Sequence, residues 1–244
     1  MSDQLSGRLA PFVDFHTHKQ QCEMYHSRED VIAVRSVMYG VEQPLPTEGY
    51  VTVGIHPMQD DVSDVMKRLG KDSATLKQEM LTVIAQLGAK CCGIGECGWD
   101  RRSPLSWEDQ DALMKFQYDL ARELHLPIIL HTVGGLHRLL SLKARVPQDS
   151  AVRWYVHGFR GKPELLEQLI RAGIGVSLSP SEHTPPEVLK KVKATSFFLE
   201  TDDSVTPIES VYAHASRLMD MPLDALRHRL CLDFQQFLRG DSVL

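Results

Sequence analysis

Short apolar runs alternate with amphipathic stretches along most of the chain, and this pattern predicts a parallel α/β protein. Runs rich in β-branched and aromatic residues predict strands over residues 12–18, 31–38, 50–55, 90–95, 126–130, 152–156, 174–178 and 197–199. Apolar residues at three- and four-residue spacing predict helices over residues 74–87, 107–125, 135–144, 163–172, 185–192, 207–219 and 222–238.

Strands that alternate with helices pair in parallel, because each helix carries the chain back to the start of the next strand. We therefore expect an α/β fold of the (β/α)8 TIM-barrel type, with a doubly wound sheet as the alternative. Residues 19–30 are too short and irregular to predict a helix, so the first βα unit is expected to be degenerate. No linker or repeat divides the chain, which predicts one domain over residues 1–244.

Composition narrows the class of protein without identifying it. The length of 244 residues suits one barrel, and 43% hydrophobic with 24% charged residues is ordinary for a soluble globular protein. No apolar run is long enough for a membrane span, and no secretory signal is evident. Five cysteines without a CxxC pair predict a reduced, cytoplasmic compartment. A net charge of −5 argues against binding duplex nucleic acid through a broad basic face.

Polar residues with metal-ligating side chains stand at the carboxyl ends of five predicted strands, and a barrel brings these ends together on one face. They are His16, His18, Glu96, His131, His157 and Asp202. Each alone is more ordinary as a boundary histidine or a turn acid, but six together indicate a site for zinc, manganese or a similar divalent ion. Six ligands exceed one tetrahedral shell and suffice for two ions if one carboxylate bridges them.

Several longer motifs resemble those of the TatD family of metal-dependent hydrolases, and they occur in the family's order. The matching segments are residues 13–18, 53–57, 93–100, 126–131, 156–161 and 198–202, with Gln110, Phe116–Gln117 and Leu120–Ala121 between them. This resemblance spans roughly residues 12 to 207. It implies a metal-dependent (β/α)8 barrel that hydrolyses phosphodiesters, usually as a deoxyribonuclease.

The resemblance also implies how the ligands are divided. One ion would be held by His16, His18, Glu96 and Asp202, and the other by Glu96, His131 and His157. We expect two divalent ions, with Zn, Mn, Mg or Ni as candidates. The expected substrates are DNA ends or single strands, or a small phosphoester. We expect no membrane association and no obligate protein partner.

Catalytic roles and a substrate contact for His56 follow from the same motif positions, and further substrate contacts are predicted from loop residues after the strand ends. Asp202, as ligand and proton acceptor, and Glu96, as the shared ligand, are the predicted catalytic residues. The predicted substrate-binding residues are His56, Arg160, Arg101 and Trp99. Arg102 and Lys162 are further loop charges that would attract phosphate. Trp99 would stack on a base or, alternatively, cover the barrel mouth.

Two departures from the family pattern fall where substrate would bind. The family often has Arg two residues after the histidine of the fifth strand, and this chain has Val133. The family's Ser-Pro after Glu-Thr-Asp is replaced by a segment beginning Asp203-Ser204, and the later Arg-Asn-Glu-Pro motif is absent from the sequence. Two alternatives therefore stay open. One is an amidohydrolase-type enzyme for a small amide, ester or lactone, and the other is a metal-binding barrel without turnover.

Overall fold

A computed structural model describes residues 9–18, 23–41, 44–146 and 152–240. Eight strands form one sheet in chain order, and each pair of neighbouring strands is parallel. The strands are β1 (Phe12–Thr17), β2 (Val31–Met38), β3 (Tyr50–Gly54), β4 (Cys91–Asp100), β5 (Ile128–Val133), β6 (Trp154–Val156), β7 (Ile174–Leu178) and β8 (Phe197–Leu199).

The first and last strands meet, which closes the sheet into a barrel. Thr17 forms a parallel bridge with Asp202, whose backbone N–H donates to the carbonyl oxygen of His16 at 2.9 Å. The buried Asp14 carboxylate accepts hydrogen bonds from the backbone N–H and the hydroxyl of Thr201, at 2.9 and 2.6 Å. The predicted eight-stranded barrel is therefore confirmed, and the doubly wound alternative is wrong because that fold leaves its outer strands unpaired.

Helices follow most of the strands from β3 onward. They are α1 (Val62–Lys71), α2 (Ser73–Leu87), α3 (Trp107–Glu123), α4 (Leu136–Arg145), α5 (Pro163–Arg171), α6 (Pro186–Lys193), α7 (Ile208–Leu218) and α8 (Leu223–Arg239). Helix α1 was not predicted, although its apolar residues have the spacing of a helix face and pack in or against the core: Val62, Val65, Met66 and Leu69. Among the described helices, none is long and apolar enough to cross a bilayer.

The connections at the start of the barrel differ from the later ones. Between β2 and β3, the described residues 39–41 and 44–49 form turns and loop, as the sequence predicted. Between β1 and β2, residues 23 and 24 are helical and residues 25–30 form mainly turns, and residues 19–22 lie outside the described residues. The expectation that the first connection lacks an outer helix therefore stays a prediction.

Aromatic side chains fill the barrel at the amino-terminal ends of its strands. Phe15 of β1 stacks on Phe198 of β8, with ring centroids 4.0 Å apart. Phe234 and Phe237 of α8 pack against this pair and close that end of the barrel, with Tyr155 beside them. Because this end is filled with apolar side chains, the candidate ligands lie at the opposite, carboxyl-terminal mouth of the barrel.

Two strands continue past the ends that the sequence predicted. Strand β4 was expected to end at Gly95 and β5 at Leu130, each at a polar residue, but the pairing runs on through Gly98–His131 to Asp100–Val133. Glu96 and His131 therefore lie within strands rather than at their ends. The register shifts once between Ile94 and Cys97, in the interval that contains Glu96, and such irregularities re-aim side chains beside functional sites.

Candidate metal centre

The six predicted ligands meet at the mouth of the barrel around the carboxylate of Glu96. This side chain is 5% exposed, and its two oxygens face different groups of imidazole nitrogens. His16 and His18 lie on the Oε2 side, and His131 and His157 lie on the Oε1 side. The structure thus brings together all six residues, although they are far apart in the chain.

The first group of ligand atoms comes from β1, β4 and the loop after β8. Glu96 Oε2 is 3.4 Å from His16 Nε2 and 3.9 Å from His18 Nε2. Asp202 Oδ1 is 3.8 Å from His16 Nε2 and 3.3 Å from His18 Nε2. His16, His18 and Asp202 offer ligand atoms close enough together to share one cation, and the shift in β1 register between Asp14 and Thr17 adjoins this group.

The second group is tighter. Glu96 Oε1 is 2.6 Å from His157 Nε2 and 2.9 Å from His131 Nδ1, and these two nitrogens are 3.3 Å apart. Ligand atoms about 2.0–2.1 Å from a tetrahedral ion lie roughly 3.3 Å from one another, which matches the separation of the two nitrogens. The distances to Glu96 Oε1 are shorter and lie in the range of hydrogen bonds. Both groups include Glu96, the carboxylate that is expected to bridge two ions.

The surroundings of His16 indicate whether a cation fits this pocket. His16 is fully buried, and within the described part of the chain neither of its ring nitrogens has a hydrogen-bond partner. Buried polar atoms are nearly always paired, and an imidazole nitrogen aimed at two carboxylates is a good cation ligand. The donor set of imidazoles and carboxylates therefore fits a divalent ion.

The electrostatics of the cluster keep its carboxylates ionised. Burial opposes ionisation of Glu96, but the surrounding histidines, with His157 foremost, hold the pKa of Glu96 well below its usual range. Burial likewise opposes ionisation of Asp202, and the hydrogen bond from His18 with the nearby imidazoles lowers its pKa to about 2. Burial, together with the charge of His157, lowers the pKa of His16 and favours its neutral form. Ionised carboxylates and neutral imidazoles are the forms that bind a cation. Burial opposes charge on His18 and His157, but the carboxylates raise the pKa of both, so a bound cation would replace the protons that they favour on these rings.

Two acids without a predicted role lie beside the histidine ring nitrogens that face away from Glu96. Asp100, whose side chain is fully buried, lies 2.9 Å from His131 Nε2. Burial opposes ionisation of Asp100, but the hydrogen bonds from Arg102 and His131 hold its pKa well below the usual range. With a cation bound beside Glu96, His131 would donate to Asp100 through Nε2–H and keep the lone pair of Nδ1 for the ion. Asp100 could have been found from its even spacing along β4 from Glu96, once β4 is known to reach it.

Glu200 has a similar position behind His157. Its Oε1 lies 3.9 Å from His157 Nδ1 and accepts a hydrogen bond from the backbone N–H of Gly158 at 2.5 Å. The hydroxyl of Ser177 donates to its other oxygen. Burial disfavours a charged His157, but the charges of Glu96 and Glu200 raise the pKa of His157 well above its usual value.

His56 lies closer to the cluster than a peripheral substrate contact would. Its Nε2 is 3.2 Å from Glu96 Oε1, and its Nδ1 accepts a hydrogen bond from the backbone N–H of Met58 at 3.0 Å. A neutral imidazole that accepts at Nδ1 carries its proton on Nε2. His56 therefore presents an N–H donor to the pocket, which suits the predicted contact with a substrate oxygen better than it suits metal ligation.

A cleft of about 800 Å³ opens above these residues, and the predicted substrate-binding residues differ in their relation to it. Arg160 and His56 line the cleft, together with Arg102. Arg101 does not line it, and its side chain lies against Gly134 instead. The prediction that Arg101 binds substrate in the cleft is therefore wrong. Arg102, its neighbour in the turn after β4, lines the cleft instead.

The prediction that Trp99 binds substrate is also wrong. Its side chain is 1% exposed, and its indole N–H donates to Asp111 Oδ1 of helix α3 at 2.7 Å. Because β4 continues through this residue, Trp99 packs between the sheet and α3 and its ring is not available to stack on a base. The alternative interpretation, that Trp99 covers the mouth, is wrong for the same reason.

Comparisons with known proteins agree with the geometry. A family model described as "TatD related DNase" matches residues 13–210. An Escherichia coli protein named "Uncharacterized metal-dependent hydrolase YjjV" is 26% identical over 181 residues, covering 72% of this chain and 64% of that protein. The human protein named "Deoxyribonuclease TATDN3" is 27% identical over 160 residues, covering 62% of this chain and 56% of that protein. The aligned segments thus span less than two thirds of these two relatives.

Solved structures show the same fold over nearly the whole chain. The crystal structure of E. coli YjjV superposes with a TM-score of 0.67 at 22% identity, covering 93% of this chain and 97% of that one. A TatD family hydrolase from Entamoeba histolytica superposes with a TM-score of 0.72 at 14% identity, covering 94% and 99%. With a family model that matches most of its length, this chain belongs to the TatD family.

Proposed function

We propose that this protein is a divalent-metal-dependent phosphodiesterase that cleaves DNA at ends or in single strands, with two ions bound on either side of Glu96. The proposal rests on one observation above all. The two oxygens of Glu96 face separate groups of imidazole nitrogens, at 2.6–2.9 Å on one side and 3.4–3.9 Å on the other. The relatives named as deoxyribonucleases support phosphodiesters as the bond that is cleaved.

Each group of the chain has a role that follows from its position. Paired divalent ions at such a site polarise a phosphoryl oxygen and lower the pKa of water. His16, His18 and Asp202 would hold one ion, His131 and His157 the other, and Glu96 both. Zn, Mn, Mg and Ni all remain candidates for the ions.

Asp202 and His56 border the cleft in which the reaction would occur. The Asp202 side chain is 28% exposed and ionised, so it is placed to accept a proton from the attacking water. The Nε2–H of His56 is placed to donate to an oxygen of the substrate, where it would stabilise negative charge.

The test combines metal analysis with a substrate screen. The purified protein, before and after chelation, is assayed with Mn²⁺, Zn²⁺, Mg²⁺ and Ni²⁺ on labelled single- and double-stranded DNA and on bis(p-nitrophenyl) phosphate. Glu96→Gln removes the bridging charge, and Glu182→Gln makes the same change at an exposed site. We expect hydrolysis that requires metal, falls by about 10³-fold or more in Glu96→Gln, and is unchanged in Glu182→Gln.

One observation favours a second candidate, the hydrolysis of a small amide, ester or lactone. The cleft has an apolar wall that includes Val133, Leu136 and Phe159, and Val133 stands where the family often has arginine. Lactones and amides are therefore added to the screen. Metal-dependent turnover of these substrates alone would replace the phosphodiesterase proposal, and two bound ions without turnover of any substrate would favour a binding protein.

A further inference from the structure

The turn after β4 holds an arginine in a fixed orientation at the edge of the cleft. The Nε–H of Arg102 donates to Asp100 Oδ1 at 3.0 Å, and its Nη2–H donates to Asp100 Oδ2 at 2.7 Å. The backbone N–H of Arg102 also donates to Asp100 Oδ1, at 2.8 Å. Despite these contacts the Arg102 side chain is 63% exposed and lines the cleft.

We infer that Arg102 binds a second anionic group of the substrate, a phosphate next to the one that is cleaved, and that Asp100 positions both Arg102 and His131. This inference deepens the proposed function and rests on it. It names the substrate class as phosphoesters with a neighbouring phosphate, such as a nucleotide strand, rather than isolated diesters.

The donors of Arg102 make it suitable for an anion. A guanidinium has five N–H donors in a rigid fork, and Asp100 engages two of them, so three are left for a ligand. Arginine matches phosphate through paired N–H donors. Because Asp100 already holds the side chain in one orientation, little conformational entropy is lost when a ligand binds.

The position of Arg102 separates this phosphate from the one at the metal centre. Between Glu96 and the guanidinium lie two side chains in series: the imidazole of His131, 2.9 Å from Glu96 Oε1, and the carboxylate of Asp100, 2.9 Å from His131 Nε2. A phosphoryl group held beside Glu96 is thus displaced from Arg102 by a ring and a carboxylate. The guanidinium is placed for the next phosphate along a strand.

The neighbouring residue provides a matched control. Arg101 has the same charge one position earlier and is exposed, but it lies against Gly134 and does not line the cleft. Arg101→Gln and Arg102→Gln therefore change the net charge equally, but only Arg102→Gln removes a guanidinium from the cleft and its ion pair with Asp100. Arg102→Lys retains the charge and loses the fork.

The first experiment measures binding without turnover. Calorimetric titration of the metal-loaded protein compares thymidine 3′,5′-bisphosphate with thymidine 5′-monophosphate and thymidine 3′-monophosphate, which are monoesters. We expect the bisphosphate to bind about 10-fold or more tightly than either monophosphate, which is typical of a charge-assisted contact. Arg102→Gln should reduce this ratio to within about 2-fold, Arg102→Lys should give an intermediate ratio, and Arg101→Gln should retain the full ratio.

The second experiment measures the same preference during hydrolysis. p-Nitrophenyl diesters of thymidine, at the 5′ or the 3′ position, are compared with and without a phosphate at the other position. We expect the extra phosphate to lower KM for at least one of the two isomers, and Arg102→Gln to abolish that difference. Asp100→Asn should reduce the difference as well, because it releases the guanidinium, and melting curves of every variant check that it is folded.

The outcomes separate this inference from the proposed function. Equal Kd values for bisphosphate and monophosphates in the wild type, or an unchanged ratio in Arg102→Gln, would overturn it even if the protein hydrolyses DNA. A protein that hydrolyses no phosphodiester would contradict the proposed function, yet the titration would still show whether Arg102 selects a second phosphate.

Discussion

The two ends of the barrel are built from the same strands and have opposite chemistry. In β1, Phe15 points into the apolar layer at the amino-terminal end, and the next residue, His16, joins the metal cluster. In β8, Phe198 belongs to that apolar layer, and Glu200 stands behind His157 two residues later. The residues for stability and those for chemistry therefore lie at different ends of the barrel, so substitutions at one end should leave the other largely unaffected.

The largest expected effect breaks the apolar end. Phe198→Ala removes a fully buried ring that stacks on Phe15, and large-to-small changes of this kind cost about 3–5 kcal/mol of unfolding free energy. Denaturant unfolding monitored by tryptophan fluorescence measures the loss. Metal content of the folded protein should be unchanged, and a loss of metal without a loss of stability would refute the separation of the two ends.

The next effect concerns the polar end and its ions. An ion at about 100 times its Kd stabilises the folded state by about 2.7 kcal/mol, which raises the melting temperature by roughly 5–10 °C for a chain of this size. Thermal melts with chelator and with added Zn²⁺ or Mn²⁺ measure the shift. Glu96→Gln should lose most of it, since both groups of ligands use that carboxylate. An equal shift in this variant would place the ions elsewhere.

A smaller effect is expected when the acid that orients a ligand histidine is changed. Asp100→Asn weakens the contact that orients His131, and loss of such a partner typically lowers metal affinity by 10–100-fold. Competition with a fluorescent chelator measures the affinity. Glu182→Gln, an exposed carboxylate on a loop at the same end, is the control. Unchanged affinity in Asp100→Asn would mean that the orientation of His131 is set by β5 alone.

The smallest effect tests the corrected position of Trp99. Trp99→Phe removes the hydrogen bond to Asp111 and leaves a small gap, so we expect a loss of about 1–2 kcal/mol of stability. KM for any substrate should not change, because the ring does not reach the cleft. Steady-state kinetics at a temperature well below the melting transition measure KM, and a clear rise would restore the predicted role in substrate binding.

The local sequence pattern was sufficient to predict the order of the helices and strands but not where every strand ends. The predicted boundaries of β2, β7 and β8 agree with the structure because turn residues or helix signals bound these apolar runs. Strand β4 was predicted to end five residues early, because a buried Glu in a strand looks like a strand end when its partners are unknown. Its partners lie on β1, β5 and β6, and their distance along the chain hides them from local patterns.

The sequence was sufficient to predict the barrel and the six candidate ligands, because alternating apolar runs specify the strands and the polar ends of these strands share one face. The folded structure was needed to show which oxygen of Glu96 each group of ligands faces, which nitrogen His131 and His56 present to the pocket, and which of two adjacent arginines faces the cleft. The physical reason is that register, tautomer and side-chain direction depend on partners from distant strands, and these partners come together only when the barrel closes.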